Sequence, residues 1–117
     1  MKYLYILRQP PYQGALAREA LDMVLATAAF DQQVSLLFIN DGVFQLCTNQ
    51  NSKTLQQKNI EKTLQAFALY NISEIYYCQD SMDQRGLSVQ DIYAAAKPLA
   101  SKQHQTLLTS VDKVISL

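Results

Sequence analysis

The fold is decided by residues 3–39, YLYILRQPPYQGALAREALDMVLATAAFDQQVSLLFI, which contain one complete strand–helix–strand unit. Two continuous apolar runs, YLYIL at 3–7 and VSLLFI at 34–39, are typical of strands that are covered on both faces, as in a parallel sheet. Between them, apolar residues recur at helical spacing from Ala15 to Phe30. The segment Gln9–Gly14 is predicted as a loop, because its two prolines can continue neither a strand ladder nor a helix.

The rest of the chain continues this alternation. The predicted elements are a turn at Asn40–Asp41–Gly42, a helix at Leu55–Leu69 stopped by Asn71, a strand at Glu74–Cys78, a helix at Val89–Ala96 capped by Ser88, a connection or strand at Pro98–Leu99, a helix at Ser101–Leu108 and a strand at Val111–Leu117. Such alternation predicts a single α/β domain over residues 1–117. We expect three layers in a flavodoxin-like arrangement, with a mostly parallel sheet and helices on both faces.

Composition excludes several classes of protein. The chain has 117 residues, of which 49% are hydrophobic and 17% charged, so it can form a core. Ten basic residues balance ten acidic ones, which argues against a protein that binds nucleic acid directly. No apolar run is long enough to span a membrane, and Arg8 interrupts the N-terminal run before it resembles a signal peptide. We therefore expect a cytoplasmic protein.

Motifs for cofactors and metals are not found. The first loop contains one glycine and matches neither the dinucleotide nor the nucleoside triphosphate pattern. It also lacks the hydroxyls that cradle a flavin phosphate, which disfavours a flavodoxin-like ligand-binding module. The single histidine, His104, is predicted to lie solvated on a late helix, so a Cys/His zinc site is not expected. We predict no cofactor and no metal.

Cys78 is the one residue with a case for chemistry. It ends a predicted strand, and open α/β sheets bind ligands at that end of their strands. A helix capped by Asp80 or Ser81 would place backbone N–H groups beside the thiol and favour the thiolate. Asp80 and Asp83 oppose ionisation, and Arg85 offsets them only in part. The alternative is a buried core cysteine, which is also the prediction for Cys47.

A short apolar patch follows the Asn40–Gly42 turn. Val43, Phe44 and Leu46 form this patch without a long period. The three side chains are either part of the core or candidates for a protein–protein interface.

Four stretches of the sequence resemble the DsrE/DsrF sulfur-relay family, and its TusC/DsrF branch in particular. They are PPYQGALAREALDMVLATAAF at 10–30, FINDGVFQL at 38–46, ALYNISEIYYC at 68–78 and RGL at 85–87. The resemblance covers essentially the whole chain, and it implies a compact α/β subunit that acts within an oligomer.

The same resemblance implies partners and a function. TusC-like proteins assemble with TusB- and TusD-like subunits into a heterohexamer. The complex passes persulfide sulfur through a TusE-like carrier (DsrC-like in the sulfur-oxidation system) toward 2-thiouridine at the tRNA wobble position. DsrF-like relatives serve intracellular sulfur oxidation. On this basis we expect such partners, no direct contact with nucleic acid, and self-association when the partners are absent.

The resemblance also bears on Cys78. In the TusD/DsrE branch an active cysteine ends a central strand eight residues before a glycine, and Cys78 and Gly86 match that spacing. In the TusC/DsrF branch this position is not the main sulfur carrier, and here QDSMD at 79–83 replaces the expected small apolar residues. We therefore expect an auxiliary subunit. The alternative is an active sulfurtransferase subunit with Cys78 as its persulfide carrier.

Overall fold

A computed structural model describes residues 1–11, 15–30, 32–47, 62 and 65–117. Its elements are β1 Lys2–Leu7, α1 Leu16–Ala29, β2 Gln33–Phe38, a first 3₁₀ helix Asn40–Leu46, helical residues at 62 and 65–69, β3 Glu74–Cys78, α2 Gln79–Gln84, a second 3₁₀ helix Val89–Asp91, β4 Lys97–Leu99, α3 Ser101–Thr109 and β5 Lys113–Ser116. The strands form one sheet in the order β4-β3-β2-β1-β5, and every neighbouring pair is parallel.

The sheet buries apolar side chains on both faces. Alternation along the strands places Tyr5, Leu36 and Tyr77 on one face, and Leu4 and Leu37 on the other. The first face carries the larger core cluster, which also contains Ala20, Leu21, Val24, Val43, Leu46 and Phe67. Each fully buried large aliphatic side chain in such a cluster stabilises the fold by roughly 1.5–3 kcal/mol.

The opposite face of the sheet is covered by α3. Leu99 joins Leu4 and Leu37 in a smaller cluster, and Leu107 of α3 packs against it. Because α1 and the first 3₁₀ helix lie on one face and α3 on the other, the predicted three-layer α/β architecture is confirmed.

Helix α1 is tied to β1 by packing and by one pair of hydroxyl groups. Ala17, Leu21 and Val24 lie buried along its inner face, as the helical spacing predicts. The hydroxyls of Tyr5 and Thr27 are 2.5 Å apart and share a hydrogen bond. A strand and its crossover helix are therefore joined by both apolar burial and a polar contact.

The first 3₁₀ helix passes directly over the end of β1. A Cβ atom at Gly42 would lie 2.0 Å from the Leu7 carbonyl oxygen and 2.8 Å from the Leu7 carbonyl carbon. The Gly42 N–H also donates to the Ile39 carbonyl at 2.9 Å. The predicted turn is thus the start of a helical segment whose backbone approach leaves no room for a side chain.

The helix predicted at Leu55–Leu69 lies mostly outside the described residues. Its described end, 65–69, is helical, and Phe67 is buried. Asn71 has φ 61, and the Ile72 N–H donates to the Phe67 carbonyl at 2.9 Å. This is a left-handed stop of the helix, so the prediction for Asn71 is confirmed.

The helix predicted at Val89–Ala96 is wrong beyond its first turn. The 3₁₀ helix ends at Asp91, and Ile92 then forms an antiparallel bridge with Cys47. The Tyr93 N–H donates to the Leu46 carbonyl at 2.7 Å. These backbone groups pair with the first 3₁₀ segment, and this tertiary pairing replaces the helical bonds that the local pattern favours.

Replacement of Gly42 by alanine should destabilise the protein strongly. The added Cβ meets backbone that cannot yield without moving β1, so we expect a loss of more than about 3 kcal/mol in the free energy of unfolding. The matched control is Gly86→Ala, where φ is +66 and nothing lies within 4 Å of the new Cβ. That change should cost about 1–2 kcal/mol through backbone strain alone. Urea titration measures both, and a loss in Gly42→Ala no larger than in Gly86→Ala would contradict the packing argument.

Candidate functional site

Cys78 lies at the junction between a central strand and a short helix. It is the last residue of β3 and the N-cap residue of α2. In the sheet it pairs in register with Leu99 of β4, and its side chain is 7% exposed. Strand alternation places it on the face that α3 covers. Cys78 is thus one of the buried residues of the core, at the point where the strand ends.

The carboxylates that follow Cys78 are held by other side chains. Asp80 accepts a hydrogen bond from the Ser101 hydroxyl at the start of α3. Asp83 accepts one from the Gln79 side-chain amide at 2.8 Å. The strand end is therefore followed by two carboxylates whose positions are set by neighbouring side chains.

Arg85 is paired away from Cys78. Its guanidinium lies 3.1 Å from the Asp41 carboxylate and also donates to the Ser81 carbonyl at 3.2 Å. The buried Ser81 hydroxyl in turn accepts from the Asn40 N–H at 2.9 Å. These contacts fasten α2 to the first 3₁₀ helix. The Arg85 guanidinium, which the sequence analysis considered as a partial offset to Asp80 and Asp83, is paired with Asp41 instead.

Gln45 is a buried polar residue that the sequence analysis missed. Its side chain is 1% exposed, and its amide donates to the Gln9 carbonyl at 2.7 Å. Within the described ranges its side-chain oxygen has no hydrogen-bond partner. A glutamine inside the apolar stretch VFQL was the available signal, because a buried amide needs a specific partner. It fixes the start of the loop that follows β1.

The structure shows which residues of the apolar patch Val43, Phe44 and Leu46 are buried in the core. Val43 and Leu46 are both 0% exposed and belong to the chain's own core cluster. Phe44 is partly buried against that cluster and keeps some accessible surface. The core interpretation therefore holds for Val43 and Leu46, and only Phe44 is available to a partner.

Cys47 and His104 differ in how they match their predictions. Cys47 is confirmed as a core thiol, since it is 5% exposed inside the larger cluster. Burial, and secondarily the charge of Asp91, raises the pKa of its thiol. His104 was predicted to be solvated, but it is half-buried, and its Nε2 has no partner among the described residues. These residues contain no cluster of three potential metal ligands.

Exposed apolar side chains form a stripe along the outer side of α1. Leu16, Met23 and Phe30 are exposed by 57%, 47% and 78%, and they follow each other at seven-residue spacing. Two turns of a helix take about seven residues, so Leu16 and Met23 share one side of α1, and Phe30 is the residue that caps its carboxyl end. Leu16 and Met23 also line a small cavity of 160 Å³, together with Gln9, Glu19, Ala20 and Leu117.

Comparison with known proteins agrees with this architecture. The model of the DsrE/DsrF-like family matches residues 1–117. This chain belongs to the DsrE/DsrF-like family. The resemblance drawn from the sequence is therefore confirmed.

Two individual members of the DsrE/DsrF-like family are similar to this chain over most of its length. The chain is 40% identical to a protein TusC homolog of Pseudomonas aeruginosa over 97% of this chain and 96% of that protein. It is 41% identical to the intracellular sulfur oxidation protein DsrF of Allochromatium vinosum over 81% of this chain and 70% of that protein. The crystal structure of the ychN protein from E. coli covers the whole of both chains with a TM-score of 0.82 at 19% identity, which supports the fold. In the part of the chain that is described, no helix has the length and apolarity to cross a membrane.

The raised pKa of Cys47 predicts a loss of stability in alkaline solution. A raised pKa in the folded state means that folding favours the neutral thiol, so its contribution is complete below the unfolded value, taken as 9.0, and declines as pH rises above it. The free energy of unfolding, measured by urea titration, should fall from about pH 8 to about pH 10. In Cys47→Ala the free energy of unfolding should fall less steeply over the same range. An equal alkaline slope in the variant and the parent would contradict this assignment.

Proposed function

We propose that this chain is a TusC/DsrF-like subunit of a sulfur-relay complex, with an auxiliary and structural role. The observation that carries the proposal is the 40% identity to a TusC homolog over 97% of the chain. In this proposal the complex contains TusB- and TusD-like subunits in the cytoplasm. It hands persulfide sulfur to a TusE/DsrC-like carrier on the way to 2-thiouridine at the tRNA wobble position.

The setting of Cys78 supports the auxiliary role. To accept sulfur, a thiolate attacks the outer sulfur of a donor persulfide, the S–S bond of the donor breaks, and the donor leaves as a thiolate. No external oxidant or reductant is needed, but the attacking thiolate has to be accessible. Cys78 is 7% exposed, and the Asp80 carboxylate is fixed within one turn of it. Both features hinder this attack.

The apolar stripe on α1 supports assembly with another subunit. Leu16 and Met23 are large exposed side chains on one side of α1, Phe30 is exposed at its C-cap, and the cavity beside Leu16 and Met23 has the size of one side chain. In this proposal a partner subunit covers the exposed apolar side chains, since exposed apolar patches commonly mark protein–protein contacts. Phe44 is a second candidate contact.

A charge placed in the stripe should weaken the complex. We expect Met23→Glu to reduce recovery with co-expressed TusB- and TusD-like subunits by roughly tenfold or more, because a buried unpaired carboxylate opposes association. The matched control is Val89→Glu, which places the same charge at an exposed apolar residue on the second 3₁₀ helix. Equal recovery of the two variants would show that the stripe is not an interface. A parent protein that stays a monomer and binds neither partner would remove the proposal itself.

Loss of the Cys78 thiol should leave tRNA thiolation intact. In cells that depend on this chain, we expect Cys78→Ser to support at least half of the parental 2-thiouridine content, measured by mass spectrometry of tRNA nucleosides. The substitution replaces one sulfur atom by oxygen and nearly keeps the size of the side chain, so the fold and the assembly should survive. Loss of thiolation by a variant that still assembles would favour the alternative, in which Cys78 carries the persulfide.

A second candidate function is a DsrF-like role in intracellular sulfur oxidation. It is favoured by the 41% identity to the Allochromatium vinosum protein of that name. The genes that flank this one distinguish the two functions. TusB- and TusD-like neighbours favour tRNA thiolation, whereas sulfite-reductase neighbours favour oxidation.

A further inference from the structure

The two edges of the sheet differ in how well they are protected from pairing with another strand. One edge is β4, Lys97–Leu99, which is short and has the exposed Pro98 in its middle. Proline has no N–H to donate, and lysine and proline on a short strand are means by which natural proteins block an edge. The other edge is β5, Lys113–Ser116, which contains no proline.

Strand β5 is regular and largely exposed. It pairs with β1 over its whole length, from Tyr3–Lys113 to Ile6–Ser116, without the extra residue that would form a bulge. Val114 is 45% exposed. The one charged residue of the strand, Lys113, has its ammonium 5.8 Å from the centre of the Tyr3 ring, so this charge is directed onto its own sheet. Neither a bulge nor an outward lysine therefore blocks this edge.

The hydrogen bonds to β1 show which backbone groups of β5 point outward. The Leu117 N–H donates to the Ile6 carbonyl at 2.9 Å, and the Leu117 carbonyl accepts from the Arg8 N–H at 3.2 Å. Both backbone groups of Leu117 therefore face β1, and along a strand this direction alternates with each residue. The backbone groups of Val114 and Ser116 consequently point away from the sheet. In the described part of the chain, no strand lies on that side of β5.

We propose that this edge is a docking site for the β5 strand of a second copy of the chain. Identical strands that meet across a two-fold axis perpendicular to them run antiparallel, and each contributes the same surface to the contact. The N–H and C=O groups of Val114 in one copy bond to those of Ser116 in the other, and the axis repeats this pair. The sheets of the two copies then form one continuous sheet.

The register suits two copies of this strand. When Val114 lies opposite Ser116 of the second copy, Ile115 lies opposite its own equivalent, and Lys113 lies opposite Leu117. Like charges directly opposite each other would oppose pairing, and this register keeps the two lysines apart. Ile115 packs against the larger core cluster and is partly buried, so the central contact between the strands is apolar. Charge and apolar contact therefore both favour a second copy as the occupant.

The pairing is expected to be weak, because the strand is short and buries little surface. A contact of this size corresponds to a dissociation constant on the order of 0.1 mM. The proposal goes beyond the proposed function, since it concerns this chain alone and involves no sulfur transfer.

Sedimentation equilibrium of the isolated chain tests the association, and NMR locates it. The parent should be mostly dimeric at about 1 mM and mostly monomeric at about 0.01 mM. Dilution over this range should shift the amide resonances of Val114 and Ser116. Lys97 and Leu99 on the blocked edge serve as the internal reference, and their resonances should shift less.

Proline at an outward position tests the contact directly. Ser116→Pro removes an outward N–H without removing a hydrogen bond to β1, so we expect the dimer to weaken by roughly tenfold or more. The matched control is Ser116→Ala, which keeps the N–H and should associate like the parent. Urea titration of the dilute proteins shows whether the variants fold. Val114→Pro removes the other outward N–H and provides an independent measurement, with Val114→Ala as its control.

Several results would overturn the proposal. They are a parent that stays monomeric at about 1 mM, a dimer that folded proline variants leave unchanged, and amide shifts at Val114 and Ser116 that require a TusB- or TusD-like subunit. The last result would assign the edge to a different chain. Failure of the proposed function would be seen separately, in the recovery of partner subunits and in tRNA thiolation.

Discussion

The close contact between Gly42 and the Leu7 carbonyl is the constraint on which the site depends. It allows the first 3₁₀ helix to cross the end of β1 with no side chain between the two backbones. That path sets Asn40 and Asp41 against α2, where they meet Ser81 and Arg85. The position of α2, and with it the surroundings of Cys78, therefore follows from one glycine at the carboxyl end of the sheet.

This arrangement uses the polar residues around Cys78 for structure. Arg85 joins two helical segments, and Asp80 joins α2 to α3. A thiol that carries sulfur needs a free positive group or an open approach to stabilise and expose its thiolate. Here Arg85 is paired with Asp41, Asp80 accepts a hydrogen bond from Ser101, and the thiol is buried. These contacts support the proposed auxiliary role of this chain.

Much of the fold could be predicted from the sequence, because continuous apolar runs and helical spacing identify β1, α1, β2 and β3 locally. The segment at Val89–Ala96 failed because Ile92 and Tyr93 pair with residues more than forty positions away. The position of Cys78 at a strand end was predicted, but the hydrogen bonds and the ion pair of the residues that follow it were not. Arg85 pairs with Asp41, and Ser101 donates to Asp80. Both contacts depend on how the elements are placed in three dimensions, which the spacing of residues in the sequence does not reveal.

The most direct test of the auxiliary role is the mass of this chain after sulfur loading within its complex. The assembled subunits are incubated with a cysteine desulfurase and cysteine, and each chain is analysed without reductant. The account predicts about 32 Da of added sulfur on the partner that carries the active cysteine, and parental mass for this chain. Stoichiometric added sulfur on Cys78 of this chain would contradict it.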